Sequence, residues 1–395
     1  MDLTQFWSEQ TAMLDKAAAL VDHGEIPLTT GLLFTIGVRH TPLVAFLLAI
    51  PMLISKDPVW ISGFQAGLDV VAIGFVFLIG RSFGGLRCGF AAALLYAVSP
   101  AAVNYSRLIW APDYLPFLGA VAMWGTVSFV RGGDHRRLAI AVFVACLGTE
   151  LHPSAAVLLL VPAVAAARRR QDLRWRPFAI ALAAFSLLTA PYVVLQMTTA
   201  WSDIPAFQAY LARPNVFSWQ GPYIALAVVG GDFQRQITSQ FRAPDPTLAT
   251  EPLMWVMAGL VLIGSEVALR RNGGWVVVGS LVLPVLATVR FSATLYPHYL
   301  LPILPPMACL AAIGLTRIRP RALSLIVVAA VAAVAAVRFQ QIVSFDNAVA
   351  ELELGPQYSV PLRYTAEAAR LGLQLDGPPR LFVGTDGANG GYFLI

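Results

Sequence analysis

The chain has 395 residues, of which 57% are hydrophobic and only 12% charged, with a mean hydropathy of +0.69. A soluble domain carries about 25% charged residues, so this is the composition of a polytopic membrane protein. The net charge is only +5, and Arg supplies nearly all of the 27 basic residues, Lys16 and Lys56 being the exceptions. That modest excess argues against a nucleic-acid partner. Cys88, Cys146 and Cys309 lie inside apolar runs at unrelated spacings, which excludes a zinc site and an obvious disulfide framework.

The segment 2–23 reads as a polar helix with Phe6, Met13, Leu14 and Leu20 available to rest on a membrane, followed by the turn-forming HGEIP. The apolar segment 41–54 is too short to cross a bilayer and reads as an interfacial or re-entrant helix. Span-like apolar runs follow at 59–80, 86–105, 114–131, 137–149, 153–167, 176–196, 253–269, 274–290, 298–316 and 321–337. After them, 364–373 reads as a helix and 380–384 as a strand. The expected fold is an all-α integral membrane bundle of about ten spans, or eleven with a missing first helix. Its divisions would be external interfacial helices over 1–58, a transmembrane bundle over 59–338 with an external loop at 197–252, and an incomplete α/β extracytoplasmic segment over 339–395.

Arginines recur in every second connection: Arg81 and Arg87; Arg131, Arg136 and Arg137; Arg168, Arg169, Arg170, Arg174 and Arg176; Arg270 and Arg271; Arg317, Arg319 and Arg321. By the positive-inside rule these connections are cytoplasmic. The intervening ones, which carry Asp113, Glu150 with His152, and Arg290 to His298, then face outward, as do both termini. GGLRCG, near Gly84, reads as a tight turn between helices and not a nucleotide loop. Asp69 falls in mid-span, where a charge costs about 2.5 to 3.5 kcal/mol, so a bond to a neighbouring helix is expected.

Polar residues crowd the ends of the apolar runs. NYSRLIWAPD holds Arg107 and Asp113 beside Tyr105 and Trp110, where ionisable groups near hydrocarbon are costly and usually functional. HGEIPLTTG, RHTPLVAFLLAIP, Asp57-Pro58, IGRSFGGLRCGFAAALLYAVSP, NYSRLIWAPDYLP and HYLLPILPP follow one another in an order that resembles a membrane glycosyltransferase of the C superfold, family 39-like, of the protein O-mannosyltransferase and aminoarabinose transferase type. The resemblance covers about residues 5–195, with a weaker echo at 295–316.

The resemblance implies a sugar donor carried on a polyprenyl phosphate and inverting transfer to an acceptor glycan, lipid or protein at the outer face of the cell membrane. It implies a base in the first external segment, where counting back from Gly24 lands on Glu9. Ser8-Glu9 stands where the family usually has Asp-Glu, with Asp2 and Asp15 as further candidates. Arg107 and Asp113 match a family Arg and Asp. The Arg is a candidate to grip phosphate through its planar fork, and the Asp to orient the acceptor or hold a divalent cation. A plain Arg107–Asp113 ion pair is the alternative. His298 and Tyr299 match a pair that approaches the lipid phosphate, with Arg290 one loop turn away. Arg39, His40, Glu150 and His152 complete the candidate substrate-binding set. A transporter, or an inactive protein that binds polyprenyl phosphate as a scaffold, would share the composition, though the charges here gather near one surface and not at mid-bilayer.

Overall fold

The computed structural model describes residues 6, 8–33, 36–214, 216–230, 252–291, 295–318, 321–351, 361–373, 381–383 and 392–394. Asp2, Arg319 and most of the connection between 231 and 251 lie outside the described residues. The described residues are mostly helical, with three two-stranded antiparallel sheets among them.

Helix α1 (Ser8–His23) packs on α2 (Leu43–Met52). This corrects one expectation: Met13 and Leu14 are buried in the core and not laid on lipid. Strands β1 (Gly31–Leu33) and β2 (Val38–His40) form an antiparallel hairpin between the two helices. Gly37, at φ 79°, supplies the left-handed backbone of its turn. The Thr29 hydroxyl donates to the His40 carbonyl (2.6 Å) and that of Thr30 to the Thr41 carbonyl (3.1 Å), so the end of β2 is fixed in place.

Helix α3 (Pro58–Ala97) starts at a strong signal: Asp57 accepts from the Val59 N–H (2.9 Å) and Pro58 opens the first turn. Its helical geometry is interrupted at Gly85 (φ 74°, ψ −169°), in the expected GGLRCG turn. Two arms fold against each other there. Phe77 meets Phe90 with ring centroids 5.0 Å apart, and a Cβ at Gly80 would lie 2.9 Å from that of Ala92. Small residues thus let two apolar helices approach closely, as helices do in lipid. The Tyr96 hydroxyl, on the second arm, donates to Asp69 on the first (2.6 Å).

The expected span at 86–105 is cut short. Ser99 and Pro100 stop the chain and start α4 (Pro100–Tyr105), with the Ser99 hydroxyl accepting from the Ala102 N–H (3.5 Å). A 3-10 turn (Ala111–Tyr114) leads into α5 (Leu115–Gly132), and Gly133 at φ 73° ends it. Asp134 caps α6 (His135–Leu151) by accepting from the Arg137 N–H (3.1 Å). A 3-10 helix (Pro153–Leu159) and α7 (Leu160–Arg168) share the next expected span.

Helix α8 (Trp175–Thr198) is apolar and long enough to cross a membrane, yet Ile180, Leu182 and Leu187 are exposed on it; lipid is the solvent such a surface requires. Then come α9 (Asp203–Leu211), β3 (Val216–Phe217), α10 (Gln220–Gly230), α11 (Pro252–Leu269), α12 (Gly274–Ala287) and β4 (Arg290–Phe291), which pairs with β3. A 3-10 helix (Pro297–Ile303) opens α13 (Leu304–Leu315), which occupies the centre of the bundle with every residue buried. Helix α14 (Arg321–Ala350) runs well past the expected end at 337. Helix α15 (Leu362–Leu373) and the hairpin of β5 (Leu381–Val383) with β6 (Tyr392–Leu394) close the described chain. Among the described residues, five helical stretches are long and apolar enough to cross a membrane by themselves: Pro58–Ala97, Ala111–Gly132, Trp175–Thr198, Pro297–Leu315 and Val328–Ala350. The other expected spans are shorter helices or parts of these.

Helices α11 and α13 touch through glycines. A Cβ at Gly264 would stand 1.8 Å from the Leu310 carbonyl oxygen, and one at Gly314 2.2 Å from that of Leu260. Backbone cannot yield as a flexible side chain does, so even one methyl group separates the helices. Gly264→Ala is expected to destabilise the protein by about 1 to 3 kcal/mol, read as a lower melting temperature in detergent micelles, while Gly259→Ala, where the added methyl meets open space, leaves it unchanged.

Candidate functional site

The site is assembled from connections, because polar groups are tolerated where apolar helices stop. Tyr296 is extended, and Pro297 and Pro302 hold the next turns as a 3-10 helix, so His298 and Tyr299 leave the chain at neighbouring positions. The His298 ring meets Trp110 (4.4 Å between centroids), Tyr299 (4.5 Å), His152 (5.4 Å) and the stacked ring of Tyr296 (5.6 Å). Tyr299 also packs on His152 (4.9 Å). Three connections that are remote in sequence thereby share one aromatic cluster.

His152 ends α6 and caps the following 3-10 helix. Its Nδ1 accepts from the Ser154 N–H (3.3 Å) and lies 2.8 Å from the Ser154 hydroxyl, an arrangement that leaves the ring proton on Nε2. Glu150 lies two residues back, at the end of α6, beside Thr41. His40, at the end of β2, is buried close enough to His152 for their charges to interact. Its Nε2 has no hydrogen-bond partner among the described residues. Burial holds His40 down to about 4 and His152 down to about 3 from the usual 6.5, so both imidazoles are neutral at physiological pH.

That neutrality has a consequence for stability. A histidine whose folded pKa is depressed favours the folded state fully above 6.5, and this contribution is lost as pH falls toward the folded value, because the unfolded chain then binds more protons. His40 alone accounts for roughly 3 kcal/mol by pH 4. Melting temperature in micelles is expected to fall steeply between pH 6.5 and 4, and less steeply in a His40→Gln variant.

Asp113 sits in the 3-10 turn before α5, 3% exposed. Neither of its carboxylate oxygens has a hydrogen-bond partner among the described residues, and the same holds for the Tyr114 hydroxyl and for both amide atoms of buried Gln65. Gln65 belongs to a polar stripe, Ser62, Gln65 and Asp69, on one face of α3. Most buried polar atoms in a folded protein are paired. These orphan polar atoms belong to α3 and to the turn before α5, two elements that touch.

Arg107 and Arg39, both of the candidate substrate-binding set, already hold carboxylates. Arg107 makes a two-pronged contact with Asp346 of α14 (2.8 and 3.2 Å), and the Ser62 hydroxyl donates to its carbonyl (2.5 Å). The alternative Arg107–Asp113 pair is therefore not formed. Arg39 contacts Asp203 both through its backbone N–H (3.1 Å) and through its guanidinium (3.2 Å), and reaches the hydroxyls of Thr199 and Ser202 (both 3.2 Å). Buried Asp203 also accepts from the Tyr192 hydroxyl (2.7 Å) and the Gln196 amide (2.6 Å). Glu9 lies half-buried in the first turn of α1, next to fully buried Gln10, while Asp15 on the same helix is exposed. Arg290 is exposed on β4 and has no bond to the cluster among the described residues. Among these residues no group of three or more His, Cys, Asp or Glu is disposed to hold a metal ion.

Residues 39–201, from the end of β2 to the turn after α8, match the family described as dolichyl-phosphate-mannose-protein mannosyltransferase, which bears out the resemblance drawn from the sequence. Most of the chain shares the fold of ArnT from Cupriavidus metallidurans. The crystal structure of that protein bound to undecaprenyl phosphate aligns with a TM-score of 0.58 at 14% identity, covering 94% of this chain and 69% of that one. Its apo structure aligns with a TM-score of 0.55 at 15% identity, covering 94% and 68%. No curated protein sequence matches the chain.

Proposed function

We propose that the protein is an inverting glycosyltransferase that takes a sugar from a polyprenyl-phosphate carrier and gives it to an acceptor hydroxyl at the outer face of the membrane. What supports this reading is the cluster in which His152, His298 and Tyr299 meet, with His40 and Glu150 beside it; Asp113, Tyr114 and Gln65, unpartnered among the described residues, would line a polar chamber with it. The ArnT structure with the same fold was solved bound to undecaprenyl phosphate.

In the reaction, the acceptor oxygen attacks the anomeric carbon as the bond from that carbon to the donor phosphate oxygen breaks. The electron pair leaves with the phosphate, and a carboxylate takes the acceptor proton. Glu9 is our candidate for this base, a role worth about 10²- to 10⁴-fold in rate. The neutral imidazoles of His40 and His152 meet the phosphate as hydrogen-bond donors, and an arriving anion raises their affinity for protons. Arg39 and Arg107 are oriented by Asp203 and Asp346, which largely neutralise them, so what they would offer an arriving phosphate is pre-positioned N–H donors and not free positive charge. Asp113 orients a hydroxyl of the sugar or acceptor.

The test is transfer of label from a panel of radiolabelled polyprenyl-phosphate sugars in membranes that contain the protein. Consumption of at least one donor by the wild type, and its loss in Glu9→Gln, supports the reading. A well-folded wild type that consumes none overturns it in favour of a binding or transport role; unmodified donor moved across vesicles would identify the latter.

A further inference from the structure

A second site lies away from this chamber, between α6 and α8 where the basic connections meet the membrane. Here the two helices part around an open crevice of about 970 Å³. Its mouth carries Arg136, Arg174 and Arg176, all exposed and all without an ion-pair partner among the described residues. Asp134, the acid among the lining residues described, is neutralised by Arg137 (2.9 Å). His135 lines the same mouth, with an Nδ1 that has no hydrogen-bond partner among the described residues. Beyond the rim the lining turns apolar through Ile140, Ile180 and Ala181, of which both isoleucines are exposed.

A cationic rim above an apolar slot, on helices whose outer surface suits lipid, has the polarity of one molecule: an anionic head on a hydrocarbon tail. We propose that this crevice binds an anionic membrane phospholipid, with its phosphate among the three arginines and an acyl chain along Ile140, Ile180 and Ala181. Three guanidinium groups favour an anionic head through charge-assisted bonds. The slot distinguishes a seated lipid from the diffuse attraction any basic loop has for an acidic bilayer, and from free phosphate, which has no tail to fill it.

The experiment is native mass spectrometry of the full chain, released from nanodiscs of equal phosphatidylglycerol and phosphatidylethanolamine. The wild type is expected to retain a phosphatidylglycerol adduct in preference by about tenfold, undiminished by inorganic phosphate in the buffer. The triple variant Arg136→Gln, Arg174→Gln, Arg176→Gln should lose the preference. Ala181→Trp, which keeps every arginine and fills the slot, should lose the adduct. These changes lie on exposed or half-buried positions, and unchanged melting temperatures verify that the fold persists. A wild type without headgroup preference overturns the proposal. Retention of the adduct by Ala181→Trp also overturns it, by showing surface attraction alone, as does a two-chain species that Ala181→Trp dissociates, which would make a second copy the occupant.

Discussion

Asp113→Asn is expected to reduce sugar transfer by about 10²- to 10⁴-fold while leaving the protein as stable as the wild type or more so. The two effects have one cause. Asp113 is buried with neither carboxylate oxygen hydrogen-bonded among the described residues, and an unpartnered carboxyl held out of water is costly whether it stays charged or takes up a proton. A group that served packing alone would not carry this cost, and amide replacement would either remove a needed bond or change nothing. If Asp113 meets its partner only when substrate arrives, the amide keeps the shape, removes the ionisable group and cannot accept the same hydroxyl as strongly. Loss of turnover together with a raised melting temperature would mark the residue as functional. A lowered melting temperature with turnover retained would make it a structural carboxylate.

The conservative variant at Tyr114 sharpens the point. Tyr114→Phe removes a hydroxyl that is unpartnered among the described residues, so stability should be unaffected. Any rise in KM then reports a hydroxyl that touches ligand.

The parts of this site that could be read from the sequence share one property: each is a polar residue at the end of an apolar run. His40, Asp113, Glu150, His152 and His298 all stand where hydrocarbon gives way to a turn, and a membrane protein concentrates chemistry at such places. The structure gathers them, as Trp110, His152, His298 and Tyr299 show by their ring contacts. Pairings were not legible, because nothing local announces them. Arg107 meets Asp346 across 239 positions, and Arg39 meets Asp203 across 164. The polar face of α3 was visible only at Asp69; Ser62 and Gln65 are uncharged, and the period that joins them shows only once the helix is drawn as a cylinder.

Helix ends followed the same logic. Asp57-Pro58, Ser99-Pro100 and Asp134 start helices through caps that sequence displays openly. Helix α1 misled because its apolar residues suit lipid and core equally well. Only the presence of α2 beneath it decides between them, and that is a tertiary fact.

The largest stability effect is expected at Asp203. Asp203→Ala should destabilise the protein by about 3 to 5 kcal/mol, the usual cost of removing one partner from a buried ion pair, and should also raise the KM for the donor. Asp203 accepts from the Arg39 backbone, the Arg39 guanidinium, Tyr192 and Gln196, so its loss leaves four donors to find other partners. It also holds a strained connection. Ala200 and Trp201, between α8 and α9, both lie in the left-handed region (φ 51° and 58°), a conformation that costs non-glycine residues about 1 to 3 kcal/mol each. The turn persists because Asp203 and Gln196 over-determine it, with the Trp201 N–H donating to the Gln196 carbonyl (2.7 Å). Since Arg39 adjoins His40 on β2, the same carboxylate fixes one wall of the chamber from a distant helix. Ala200→Gly separates strain from anchorage: it relieves the backbone while keeping every bond to Asp203, and should raise the melting temperature with KM unchanged. If Asp203→Ala lowered stability yet left KM untouched, Asp203 would be an anchor for the fold and have no part in positioning His40.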